Sequence, residues 1–165
     1  MTTAVEITGI AATIRRLNDL GKKGAKRAVT KAVRAGGREQ LLALRRNAPI
    51  DTGALRRYLT QRVSTKRGVT LSRSGAKNLK GAKRNPIHYL HLVERGTRPH
   101  TIYAPSGGMS IGGTLIMRKV QHPGSRANDF VARSYRESAS RALAAHNKKL
   151  EDEIDAEVRK LRGVG

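Results

Sequence analysis

Three groups of residues have the types that chemistry uses. His88, His91 and Glu94 stand at three-residue steps, which on a helix brings them roughly to one side. A helical zinc pair uses i and i+4 with a third ligand from elsewhere, so this spacing reads instead as a helix face with two polar histidines at an interface. Gly107-Gly108 and Gly112-Gly113 look like a phosphate-cradling loop. No Gly-Lys-Ser/Thr follows and no helix opens there, so a flexible arm or hairpin tip is the plainer reading. No nucleophile-elbow pattern accompanies the serines, and the chain has no cysteine. Neither an enzyme, a metal site nor a cofactor is expected.

The third group is the lysines and arginines. The formal net charge is +22, and it is uneven: residues 1–150 carry 31 basic and 7 acidic side chains, residues 151–165 carry 3 and 5. Residues 15–46 hold eleven Lys or Arg against two acids. Arg73, Lys77, Lys80, Lys83 and Arg84 add a stretch without any acid. Such surfaces attract polyanions at long range and contact phosphates without reading sequence. They are the candidate contacts for double-stranded DNA or for an acidic partner. One Phe and four scattered Tyr make no stacking platform, and no zinc-finger, homeodomain or RNP pattern occurs. A nonspecific nucleic-acid-binding basic protein is therefore the alternative reading, and charge alone does not decide it.

The elements that must carry these residues follow from periodicity. The length suits one domain, 1–165. Residues 1–47 read as two helices. The first, over 5–20, is amphipathic; Gly21-Lys22-Lys23-Gly24 breaks the pattern, and the second runs from about Ala25 to Asn47, ended by Pro49. Gly36-Gly37 inside it marks a kink or a close helix contact. Residues 48–127 form a β-rich middle. Leu59–Thr65 and Gly68–Ser72 alternate as strands around a Lys66-Arg67-Gly68 turn, residues 73–86 are a basic loop, and 104–113 an arm. Residues 128–162 are one long helix capped by Asn128 or Asp129, with Val131, Tyr135, Ala139, Ala142, Leu143, Leu150, Ile154, Val158 and Leu161 in helical period. The rod is some 50 Å long at 1.5 Å per residue, so its acidic end projects or lies across something else. The expected class is α+β: a small antiparallel sheet packed with two N-terminal helices and one long C-terminal helix.

Three short motifs remain: Ala48-Pro49-Ile50-Asp51-Thr52-Gly53-Ala54-Leu55-Arg56, Tyr89-Leu90-His91-Leu92-Val93-Glu94-Arg95-Gly96-Thr97, and His122-Pro123-Gly124-Ser125-Arg126 leading to Phe130. Each is turn chemistry: a proline stop, a glycine bend, a helix end with a threonine that bonds its own backbone. Glu94 is expected to pair with a basic residue such as Arg56. In this order and spacing, across positions 48–130, the trio resembles the tail-completion, or head-to-tail joining, proteins of long-tailed bacteriophages. The chain departs from that pattern at Tyr58-Leu59, in its long basic loop, and in its extended, acidic C-terminal helix.

The resemblance implies a structural protein of the virion neck, made in the host cytoplasm and assembled as a six-fold ring. Its partners would be copies of itself, a head-side connector or stopper, a tail terminator or tube, and the backbone of packaged DNA. Arg56, Arg57, Glu94, Thr97, Arg126, Phe130, Glu151, Asp152 and Glu153 are the expected interface residues, the acidic end meeting the basic face of the next subunit. The start, Met1-Thr2-Thr3-Ala4-Val5-Glu6, has no basic region followed by an apolar stretch, and no apolar run approaches the ~20 residues that span a bilayer. No membrane association is expected.

Overall fold

The computed structural model of the chain describes residues 10–81, 85–104, 108–111, 115–161 and 163. Among them are helices α1 (Ile10–Asp19), α2 (Gly21–Asn47), α3 (Ala54–Arg57), α4 (Pro86–Arg95) and α5 (Phe130–Leu161). The strands are β1 (Leu59–Lys66), β2 (Val69–Ala76), β3 (His100–Tyr103), β4 (Met109–Ile111), β5 (Leu115–Met117) and β6 (Lys119–His122). The class is α+β. The strands form three antiparallel pairs, β1–β2, β3–β6 and β4–β5, in place of one sheet.

Helix α2 is the hub. One side of it runs antiparallel along α5 and another supports β1–β2. The α2–α5 seam is made of small residues. Gly24, Ala28, Ala32, Gly36 and Ala43 are buried on α2; Ser134, Ser138 and Ala142 are buried on α5. A Cβ on Gly36 would sit 2.8 Å from the Ala142 carbonyl oxygen. The two backbones are thus too close for any larger side chain there. Gly37, the next residue, faces the other neighbour: a Cβ there would overlap Ser72 and Gln61 of the hairpin. The glycine pair is a double close contact rather than a kink. The buried hydroxyls are satisfied within their own helix, Ser134 Oγ by the Phe130 carbonyl and Ser138 Oγ by the Ser134 carbonyl at 2.7 Å.

Three sequence expectations change. Helix α2 restarts at Gly21, and the Lys22-Lys23-Gly24 stretch is helical because Gly24 belongs to the seam. The first half of α5 buries Phe130, Ser134, Ser138 and Ala142, so Tyr135 (61% exposed), Ala139 and Leu143 (62%) face outward, while toward its end Ile154 is buried with Leu150 and Val158 beside it, as the spacing expects. Apolar periodicity misplaces that face because a close-packed seam selects for size before hydrophobicity. The third change is in β2, which continues through Arg73–Ala76, previously read as loop. Those residues pair with Leu59–Arg62 around a two-residue turn at Arg67 and Gly68, both at positive φ.

Candidate functional site

The three motifs, far apart in sequence, meet around one side chain. Phe130 is fully buried against Leu44, Ala48, Leu55 and Leu59, with Tyr89, Leu90, Val93 and Val131 packed on the cluster. Ala48 and Leu55 belong to the first motif, Tyr89, Leu90 and Val93 to the second, and Phe130 ends the third. An aromatic ring buries more apolar area than any other residue type here, so a chain with one Phe anchors its joint on it.

Glu94 fastens the joint. Its carboxylate accepts the Val131 amide at 2.8 Å and the Ala132 amide at 3.1 Å. Its carbonyl accepts the Asn128 and Asp129 amides. The first amides of a helix have no partner inside it and carry the positive end of its dipole, so a carboxylate there is stabilising. Glu94 therefore caps α5 from another helix rather than pairing with Arg56. Asp129 keeps the cap position, turning the chain at φ 50° with its carbonyl accepting the Arg133 amide at 2.9 Å, while the side-chain bonds to the free amides come from Glu94; the Asn128 side chain accepts from Arg133.

The second and third motifs are also zipped through backbone. Thr97 and Ser125 exchange both amide–carbonyl bonds, at 3.0 and 3.1 Å, and their hydroxyls lie 3.1 Å apart. A Cβ on Gly96 would overlap the Ser125 carbonyl, and one on Gly124 the Thr97 carbonyl. Both glycines also sit at positive φ, so each is required twice over.

Beside this knot lies a mainly apolar cleft of about 550 Å³, walled by Pro49, Ile50, Thr52, Leu55, Tyr89 and Val93. Ile50 is exposed at its edge. Thr52 Oγ1 accepts the Ala54 amide at 3.4 Å and holds the turn into α3. Asp51, exposed, is the carboxylate on the cleft's wall. Among the described residues no group of three His, Asp or Glu side chains is placed to hold a metal. His88 and His91 are exposed on α4, and Glu94 points away to α5.

The acidic end of α5 lies across the basic start of α2. Lys31 and Lys149 donate to Glu153, at 2.7 and 2.9 Å; Arg27 and Lys160 donate to Glu157, at 2.7 and 3.2 Å; Arg16 pairs with Asp155. Glu153 and Glu157 are buried. Hydrogen bonds from Lys31 and then Lys149 hold Glu153 below the usual carboxylate range, and Arg27 and then Lys160 do the same for Glu157, in each case against the opposing pull of burial.

Among the residues expected at interfaces, Glu94, Thr97, Phe130 and Glu153 thus have their partners inside the chain. Arg56, Arg57, Arg126, Glu151 and Asp152 are exposed. Of the expected polyanion contacts, Arg73 lies on a strand, Lys77 and Lys80 are exposed beyond it, and Lys83 and Arg84 fall outside the described residues. So do residues 105–107 and 112–114 of the arm and residues 1–9 ahead of α1. Periodicity does not single out Ser134 or Ser138, the partners of Gly36 and its neighbours in the seam. The signal was available in the four-residue spacing of Ala28, Ala32 and Gly36 against Ser134, Ser138 and Ala142.

The three motifs thus share one buried joint, a zipped backbone and a basic exterior. Over residues 11–96 the chain matches the family described as "Bacteriophage HK97-gp10, putative tail-component". It belongs to that HK97-gp10-like family of phage tail components, whose place is the virion. The matched span runs from α1 to the end of α4 and takes in the first motif and all of the second except Thr97. No curated protein and no solved structure matches the chain. No described helix is long and apolar enough to cross a membrane.

Proposed function

We propose that this tail component completes the tail at the virion neck, as a ring of identical subunits joining the DNA-filled head to the tail. The ring would sit between a head-side connector or stopper and a tail terminator or tube. The observation that carries this reading is the convergence of the three joining-protein motifs on Phe130 and Glu94, which makes them one rigid joint. The reading predicts a ring of this chain, six-fold by the resemblance, in a side-chain-resolution reconstruction of the intact virion neck. It also predicts that phage lacking the chain accumulate filled heads and finished tails that do not join. Absence of the chain from purified virions would overturn it.

Electrostatics constrains how such a ring forms. Each subunit carries a formal +22, and Glu153, Asp155 and Glu157 are already neutralised inside it. Glu151 and Asp152 remain exposed for a neighbouring copy. Copies this basic repel one another, so assembly is expected on a partner that supplies negative charge. Charge reversal at Glu151 and Asp152 tests the contact between copies: ring formation left intact would remove these two residues from the interface.

Nonspecific binding of the DNA backbone is the second reading. The observation favouring it is that residues 52–93 contain ten Lys or Arg and no acid. It predicts tight duplex binding by the isolated chain with a steep loss as salt rises. In the joining reading such binding is dispensable for attaching heads to tails.

A further inference from the structure

The β1–β2 hairpin has two unlike faces. Cross-strand partners share a face, so the register separates them cleanly. Leu59, Gln61, Ser72 and Ala76 belong to the inner face, where Leu59 is buried and Gln61 Nε2 donates to the Arg34 carbonyl of α2 at 2.9 Å. The outer face carries the pairs Arg62↔Arg73, Ser64↔Leu71 and Lys66↔Val69. All six of those side chains are exposed, Val69 at 57% and Leu71 at 45%.

Arg62 directly opposite Arg73 is an unfavourable arrangement. Like charges at facing positions of a ladder destabilise it, and neither guanidinium has a carboxylate partner among the described residues. The pair borders a concavity of about 380 Å³ whose wall includes Thr60, Ser64, Asn78 and Ile87 of α4. Two guanidinium forks, the hydroxyl residues Thr60, Ser64 and Ser74 and the Asn78 amide line a space that suits a carboxylate or other oxyanion. Val69, Leu71 and the exposed Ile87 decide between possible occupants. A phosphate backbone has no use for three aliphatic side chains, whereas a protein interface uses them as its core inside a charged rim.

We propose that the outer face of β1–β2 docks an extended, acidic and aliphatic segment of a partner protein. A carboxylate side chain sits between Arg62 and Arg73, and an aliphatic one lies against Leu71 and Val69. This rests on the joining reading only for where the partner is found. The surface itself is testable on the isolated chain, so its failure would leave the neck location standing, and the reverse.

The test is fluorescence anisotropy with three probes: a strand-length peptide alternating Glu and Val, a peptide of the same composition with Glu and Val in separate blocks, and a mixed-sequence DNA duplex. The alternating peptide is expected to bind about tenfold more tightly than the block peptide. Arg62→Ala with Arg73→Ala should weaken it about tenfold or more, and Leu71→Ser by about threefold. Without ligand, Arg73→Ala should melt no lower than the parent, because it removes a repulsion. Three results would overturn the proposal: equal binding of the two peptides, duplex binding that depends on Arg62 and Arg73 and is not competed by the alternating peptide, or a lowered melting temperature in Arg73→Ala.

Discussion

Glu94, at the end of α4, holds the first amides of α5 through its carboxylate, 2.8 Å from the Val131 nitrogen and thirty-seven residues away in sequence. The contact makes the start of the longest helix depend on a side chain from a different element. It also fixes the angle at which α5 leaves the joint around Phe130.

Replacing Glu94 by Ala should therefore cost about 0.5–2 kcal/mol, the usual loss for a helix cap. Glu94→Gln should lose less, since an amide oxygen still accepts one bond. Glu94→Asp, one methylene shorter, should behave more like Ala. Urea unfolding of the three variants checks this order. Equal stability in all three would mean that α5 does not need the cap.

The seam and the exposed stripe beside it differ by a single residue position. Ala142→Leu should destabilise the chain by about 1–3 kcal/mol, because the Ala142 backbone already approaches the space above Gly36 and the packing cannot widen locally. Leu143→Ser, one residue on, should fall within about 0.5 kcal/mol of the parent. Thermal melts of the pair would show the reverse order if the stripe Tyr135–Ala139–Leu143 were the buried one.

Acid should loosen the far end of the two-helix unit first. Glu153 and Glu157 titrate below their ordinary value of 4.5 in the folded chain. A carboxylate lowered by folding stabilises the fold above its unfolded value, and that contribution is lost as pH falls through its folded value. Stability should thus be level from neutral pH to about 4.5 and decline below it. Glu153→Gln should flatten the decline while lowering stability near neutrality. Denaturant titrations over a series of acid pH values read both effects, and an unchanged acid slope in Glu153→Gln would count against the buried pairing.

Much of the fold was legible because local rules set it. Pro49 stops α2, Arg67-Gly68 turns the hairpin, and Pro86 starts α4, where the Asn85 side chain accepts the Ile87 amide. The α5 helix is visible in its periodicity, and so is the later part of its buried face, at Ala142, Leu150, Ile154 and Val158, but not the first three turns. Hydrophobic spacing points to Tyr135 and Leu143, whereas Ser134 and Ser138 are buried because only small residues fit so near α2. The same blindness hid strand residues Ser74, Gly75 and Ala76, whose small side chains carry little strand preference and are held by pairing with Leu59–Gln61. Glu94 was recognisable as a motif member, but its partner was not. A cap supplied across thirty-seven residues leaves no trace in local spacing. The sequence leaves the acidic end of α5 projecting or lying across something else; what Glu153 and Glu157 lie across is the start of α2, at Lys31 and Arg27.

The small-residue seam also bears on heat capacity. Among the described residues, two of the six largest fully buried side chains are serines. A chain held together this way exposes less hydrocarbon on unfolding than its length suggests, while its alanines and glycines lose almost no rotamer freedom on folding. Its unfolding heat-capacity increment should accordingly lie below the common ~12–15 cal/mol/K per residue. The stability curve would then be shallow and broad, changing little between cold and warm hosts, and differential scanning calorimetry would measure that breadth directly.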